Sequence, residues 1–345
     1  MKRIIRASKT LKNKLLSIDY TLFQDQAFVN YLKNYVKMYD VIIQRYVNLL
    51  VYIIKKRNSF EFSFMDYGGG TGIFSLLAKL AGVSKVTYLD LNHNYLVDFT
   101  TLAKTINVEV DNIILASHNS EFQEQFDVIS NYDVLEHINK PLQAFINLKK
   151  ILRKNGFILM ESGANQYNPI LMRINKMKHL KEEPCSLEAQ YTKQRFEYIK
   201  SKHPEFPENL IKKMALFTRG FLFSQIDAFI DFYLIKGDFI RPKIKSNTCS
   251  PKTGIWHEHC FDFFKFAKEL SHFFSDVKII CGKYPMSKPK FEKPVFNKSR
   301  SLTIVYLWLR FFSLLLSPIF NVVLKLLPLK LRVYLAPSYK IFVSK

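Results

Sequence analysis

The chain holds 345 residues (40.6 kDa), of which 48% are hydrophobic and 23% charged. That ordinary composition excludes collagen-like, low-complexity and wholly disordered readings and leaves room for one large domain or two smaller ones. The net charge of +22 asks for an anionic partner: nucleic acid, an acidic membrane face or an acidic substrate. Cysteines at 185, 249, 260 and 281 show no metal-ligand spacing, so a reducing compartment with neither disulfide framework nor metal site is expected. The basic start MKRIIRASKTLKNKLLS lacks a sustained apolar stretch and a small-residue cleavage site and is not expected to be a secretory signal.

Residues 22–57 carry apolar side chains at three- and four-residue steps, from Phe28 through Ile43 to Ile53, which predicts one or two helices. Asp40, Arg45 and the Lys55-Lys56-Arg57 end exclude a membrane span there. Strand and helix then alternate. FSFMDY (62–67) is a strand, IFSLLAKLAG (73–82) a helix, VTYLDL (86–91) a strand, and 96–106 a helix. VDNIILAS (110–117) and FDVIS (126–130) are further strands, PLQAFINLKKILRK (141–154) is a helix stopped at Asn155-Gly156, and GFILMES (156–162) is a strand. Such alternation predicts an α/β architecture, a parallel sheet with helices on both faces. Residues 163–255 break the pattern and are expected to form a cap or lid, mostly helical over 214–235. A helix over 259–274 and strands over 277–284 and 339–345 complete the reading.

The most informative stretch is Asp66-Tyr67-Gly68-Gly69-Gly70-Thr71-Gly72. An apolar strand delivers a carboxylate to its end, glycines let the backbone pass close to a ligand, and the following helix presents free N–H groups. The spacing differs from the dinucleotide pattern, whose third glycine would fall at Ile73. Asp90 ends the second strand, 20 residues past Gly70, where a carboxylate can accept both hydroxyls of a ribose.

These motifs, with FDVISNYDVLEHINKP (126–141) and LKKILRKNGFILMES (148–162), resemble the class I S-adenosylmethionine-dependent methyltransferases, particularly the small-molecule and quinone-pathway branch. The resemblance implies a Rossmann-like, seven-stranded, mostly parallel sheet, with LAPSYKIFVSK (335–345) holding the closing strand. It implies S-adenosylmethionine as cofactor, with Gly68, Gly70 and Gly72 lining its methionine part, Asp66 supporting that turn and Asp90 holding the ribose. Asn131 and Tyr132, with Asp133, would flank the sulfonium and face the acceptor. The family usually places an Asp near the adenine amino group after the third strand; this chain has Ser117-His118-Asn119, so Ser117 or Asn119 would have to serve.

The organisation expected is a basic N-terminal helical segment (1–58), a cofactor-binding half (59–162), a helical cap insertion after the fifth strand (163–255), the remainder of the sheet (256–284 and 336–345) and a basic apolar segment (285–335). That last segment would form an apolar hairpin before the final strand. Methyl transfer is an in-line displacement, for which positioning and water exclusion supply much of the rate. For a hydroxyl acceptor, His137 in Leu135-Glu136-His137 is the candidate base, since imidazole accepts protons near neutral pH. The competing reading is a structural histidine bonded to backbone. His257, Glu258 and His259 form a second cluster, in which Glu258 reads as a helix-start acid.

Residues 283–345 hold twelve basic side chains against one acid, half the net charge, and include the most apolar run, 301–332. Its longest uncharged piece, 311–324, spans 14 residues with Pro318 inside, short of the roughly 20 needed to cross a bilayer. Basic residues beside Trp308, phenylalanines and leucines suit an anionic membrane surface. The expectation is a cytoplasmic, peripherally attached methyltransferase acting on oxygen of a lipid-soluble or lipid-linked small-molecule acceptor: a quinone or isoprenoid intermediate, or a lipid-linked glycan. Nucleic acid is the less favoured partner: Asn131 is followed by Tyr132-Asp133 rather than the Pro-Pro-Tyr of base amino-methylases. The alternatives are an RNA methyltransferase or a catalytically inactive membrane scaffold.

Overall fold

A computed structural model describes residues 1–116, 124–184, 186–238, 248–256, 260, 262–282, 319, 321–322 and 324–345. Ser117 and Asn119, the His257–His259 cluster, Cys185 and most of the apolar run 301–332 lie outside the described residues. Three helices lead in: α1 (Lys2–Leu16), α2 (Gln26–Lys37) and α3 (Tyr39–Arg57). The periodic stretch 22–57 is thus two helices that meet at Met38. Asp25 caps α2 by accepting the Phe28 N–H at 2.9 Å.

Among the described residues seven strands follow: β1 (Ser63–Tyr67), β2 (Lys85–Asp90), β3 (Asn112–Leu115), β4 (Phe126–Tyr132), β5 (Leu152–Ser162), β6 (Asp276–Cys281) and β7 (Tyr339–Ser344). They form one sheet in the order β3-β2-β1-β4-β5-β7-β6. The first five pair in parallel, whereas β7 inserts antiparallel between β5 and β6. Helices α4 (Ile73–Ala81), α5 (His93–Thr105) and α6 (Pro141–Lys150) fill the crossovers. Alternate strand residues face opposite layers. Phe64, Tyr88, Val128 and Phe342 join a core shared with α1–α5, while Met65, Leu89, Ile129 and Ile341 join one under α6 and α11 (Phe263–Leu270). Burial on both faces explains why these strands read as continuous apolar runs.

One boundary differs from expectation. The helix predicted over 141–154 ends at Lys150, and 152–155 belong to β5. Leu152 pairs with Phe126 and Phe157 with Val128, so an irregularity in β5 absorbs the intervening residues. Gly156 is therefore a close-approach glycine and no helix cap, since a Cβ there would sit 2.9 Å from the Phe126 carbonyl oxygen.

The described residues of 163–255 include four helices: α7 (Pro169–Glu182), α8 (Gln190–Lys202), α9 (Glu208–Phe217) and α10 (Phe223–Lys236). The helix expected over 214–235 is two, broken where Gly220 takes φ +80°. Ile199, Ile211, Met214, Ala215, Ile226 and Ile230 give α8–α10 a small core of their own. A last helix, α12 (Leu329–Leu335), precedes β7 and buries Val333 in the second layer's core. Among the described residues no helix is long and apolar enough to cross a membrane.

Candidate functional site

Strand order reverses at β1, which has β2 on one side and β4 on the other. Open α/β sheets hold ligands at the carboxyl ends of the strands beside such a reversal. Here those ends are level: Tyr67 lies opposite Leu89, Asp66 opposite Ser130, and Asn131 opposite Met160.

The glycine turn leaves β1 and is tied at once to β2. The N–H groups of Gly68 and Gly69 both donate to the Leu89 carbonyl, at 2.8 and 2.9 Å. Gly68, Gly70 and Gly72 take φ values of +71°, +54° and +72°, a region that favours glycine. The turn nonetheless contains two kinds of glycine. A Cβ on Gly72 would fall 2.0 Å from the Phe99 ring, and one on Gly69 would fall 2.5 Å from the Tyr88 ring. Phe99 and Tyr88 stack with centroids 3.9 Å apart as the floor of the turn, and the Tyr88 hydroxyl donates to the Gly70 carbonyl at 2.7 Å. Gly70 differs: a Cβ there meets nothing within 4 Å, so this stretch of backbone borders open space.

Two carboxylates brace the turn. Asp66 is buried, and its Oδ2 accepts the Ser75 N–H at 3.0 Å and the Ser75 hydroxyl at 2.7 Å, which holds the first turn of α4 under the glycines. Burial pushes its carboxyl up to about 7 against the opposing Ser75 hydrogen bonds. Asp90 accepts the Gly70 N–H on Oδ2 and the Asn92 N–H on Oδ1, each at 2.9 Å. Burial raises its pKa too, with those backbone donors pulling the other way. Each Asp90 oxygen keeps a lone pair that a hydroxyl can reach.

At the end of β4, Asn131 is fully buried, and neither its Nδ2 nor its Oδ1 has a hydrogen-bond partner among the described residues. A primary amide left so is costly and marks a place where a bound group would complete the bonding. Tyr132 follows, with the Arg45 guanidinium 5.1 Å from its ring centroid and the Tyr46 ring edge-on at 5.7 Å. Asp133 takes φ +54°, accepts the Gly163 N–H on Oδ1 at 3.0 Å and faces Arg45 from Oδ2 at 3.8 Å. Burial raises its pKa; Arg45, Gly163 and a hydrogen bond with the Glu136 side chain oppose the rise. The strand pairing sets Glu161 beside Tyr132, and Glu161 in turn accepts Ser338 Oγ at 2.5 Å and pairs with Lys340 at 2.9 Å, both charges buried.

His137 sits in the short turn after β4. Its Nδ1 lies 2.9 Å from the Trp256 carbonyl oxygen, and Trp256 N–H donates to the His137 carbonyl at 3.1 Å. A carbonyl can only accept, so Nδ1 carries a proton, and in the neutral ring the lone pair is then on Nε2. The backbone-bonded arrangement and a basic Nε2 are therefore compatible in one side chain.

The fold thus gathers Asp66, Gly68, Gly70, Gly72, Asp90, Asn131 and Tyr132 along one rim of the sheet, with His137 just beyond. Sequence reasoning passed over Arg45, noted only as a charge that excludes a membrane span, and that charge amid apolar residues was the signal. It also passed over Glu161, an acid ending a strand as Asp90 does. Lys340, 179 residues further on, left no signal that period or spacing could carry.

A family model described as a methyltransferase domain matches residues 28–208, just over half of the chain. The ubiquinone biosynthesis O-methyltransferase of Rickettsia akari (strain Hartford) is 26% identical over 119 residues, 33% of this chain and 47% of that protein. The mitochondrial ubiquinone biosynthesis O-methyltransferase of Dictyostelium discoideum is 27% identical over 109 residues, 28% of this chain and 34% of its own length. The chain therefore spans less than half the length of these curated relatives. Among solved structures, TehB from Haemophilus influenzae aligns at 25% identity and a TM-score of 0.29, covering 33% of this chain and 40% of that one.

Proposed function

The chain belongs to the S-adenosylmethionine-dependent methyltransferase family, and we propose that it methylates a hydroxyl of a lipid-soluble or membrane-attached small molecule at the cytoplasmic face of a membrane. The observation that carries the reading is the buried, unpartnered amide of Asn131 at the strand ends where Gly70 borders open space. Those features fit the cofactor. Gly68 and Gly70 offer backbone without side chains to its methionine part, Asp90 offers lone pairs to the ribose, and Asn131 offers a donor and an acceptor beside them.

The cofactor supplies a methyl group on a sulfonium. The chain's own residues position the acceptor and manage its proton. Tyr132, backed by Arg45 and Tyr46, forms a wall next to Asn131 that excludes water. Nε2 of His137 receives the hydroxyl proton, its tautomer fixed by the Trp256 carbonyl. Transfer to oxygen is supported by the names of the two curated relatives and by this imidazole. The lipid character of the acceptor is supported by the basic, apolar composition of 301–332.

Isothermal titration with S-adenosylhomocysteine tests the cofactor site. Wild type should bind, and Asp90→Ala should weaken binding about 100-fold, the loss of one or two hydrogen bonds to a charged group. Labelled cofactor would then screen quinone, isoprenoid and lipid-linked glycan acceptors. Failure of folded wild type to bind would remove the enzyme reading.

A further inference from the structure

Helix α7 is built inside out. Ile170, Ile174 and Met177 fall at i, i+4 and i+7, on one face of the helix, and are 53%, 39% and 51% exposed. Leu180 beside them is 36% exposed, whereas His179, from the opposite face, is 2% exposed. An ordinary surface helix turns its apolar stripe inward and its polar face to water. In α7 apolar side chains lie on more than one face, and Ile170, Ile174 and Met177 are the ones the fold points outward.

The neighbouring α12 repeats this. Leu331, Tyr334 and Leu335 are exposed, and only Val333 is buried. The two helices are joined at one corner. The Asn165 amide donates to the carbonyls of Val333 (2.7 Å) and Ala336 (3.1 Å), and the Asn168 amide, whose oxygen caps α7, donates to Ala336 at 3.2 Å. Tyr167 and Tyr334 meet edge-on at 6.0 Å. Exposed Arg173 and Lys176 flank the α7 stripe, and exposed Lys325 and Lys330 flank α12. The sequence that leads into α12 is the basic, apolar run 301–332.

We propose that the outward faces of α7 and α12 form one docking surface for an anionic phospholipid bilayer. The proposal rests on the membrane-surface reading above and assigns it a place. Apolar side chains rimmed by cations suit the boundary between acyl chains and acidic head groups, and suit a neutral or cationic partner poorly. The position also serves the site. Gly163, whose N–H binds Asp133, precedes α7 by six residues. A bilayer touching α7 would then be tied to the Asp133 end of the sheet through that short link.

The test is co-sedimentation of the full chain with phosphatidylglycerol–phosphatidylcholine vesicles and with phosphatidylcholine vesicles. Sedimentation velocity without lipid and titration with S-adenosylhomocysteine serve as controls. Wild type should bind the anionic vesicles and release them as salt rises. Ile174→Glu combined with Met177→Glu should weaken that binding about tenfold or more while leaving cofactor affinity intact. Wild-type vesicle binding by the double variant would overturn the assignment to α7, and a wild type that ignores both vesicles would overturn the membrane reading with it. A lipid-indifferent wild-type dimer made monomeric by the double variant would identify the face as a contact between copies. Loss of cofactor binding by wild type would sink the methyltransferase reading alone, because vesicle binding is read independently.

Discussion

Gly70 and Gly72 are two residues apart, share a left-handed backbone and should respond in opposite ways to the same added methyl group. For either, alanine at positive φ costs about 1–2 kcal/mol. At Gly70 nothing further is lost from the protein, because the new Cβ meets no atom within 4 Å. A fall in Tm of about 1–3 °C follows for a chain of this size. At Gly72 the Cβ would lie 2.0 Å from Phe99, a buried ring stacked on Tyr88. Overpacking adds about 1–3 kcal/mol, so Gly72→Ala should lose about 2–5 kcal/mol in total. Ligand binding should reverse the order. The methyl of Gly70→Ala projects into the crevice and should break one hydrogen bond at the site, weakening S-adenosylhomocysteine about 10- to 100-fold. Gly72→Ala, where it remains folded, should keep more of its affinity. Differential scanning fluorimetry and titration on both variants give the comparison. Wild-type affinity in Gly70→Ala would show that no ligand lines that open backbone and would refute the reasoning.

His137→Asn retains an N–H for the Trp256 carbonyl but supplies no base, so kcat should fall about 10²- to 10⁴-fold with cofactor affinity unchanged; loss of cofactor binding would mark a structural histidine. Asp66 is raised in the folded chain to about 7, so its protonated form favours folding. That contribution is complete below about pH 4 and is lost as pH rises towards 7. Asp66→Asn keeps an oxygen for Ser75 and should flatten the Tm profile between about pH 4 and 7; an unchanged slope would count against the assignment. Lys340→Met strands a buried Glu161 carboxylate and should cost about 3–5 kcal/mol in urea unfolding, much of it restored by adding Glu161→Gln.

Much of the fold was legible because the parallel strands are buried on both faces and read as unbroken apolar runs. The geometry of the glycine turn was legible because it depends on local features: a carboxylate ending a strand, glycines in a turn, a helix beginning. Reasoning failed where a contact distant in sequence outweighed a local preference. Asn155-Gly156 has the composition of a helix stop, yet pairing between Leu152 and Phe126 draws those residues into β5. The closing strand came from family resemblance, and its antiparallel place between β5 and β6 follows from no periodicity. Arg45 stands beside Asp133 only because α3 packs over β4. The outward turn of α7 was hidden for a related reason: a stripe shows that a helix has an apolar face, while the direction of that face is decided by what the rest of the chain leaves beside it.

Gly282 N–H donates to the Ser338 carbonyl at 2.7 Å, immediately beyond the Cys281–Tyr339 register pair. Strands β6 and β7 are therefore paired as the two arms of a hairpin, with residues 283–337 joining them in sequence. The entropy of closing such a loop grows only with the logarithm of its length, about 0.6 kcal/mol for each doubling. The segment can lengthen or shorten at little cost in loop closure, so on the docking proposal the part of the chain that would meet the bilayer can change separately from the rim proposed to hold the cofactor.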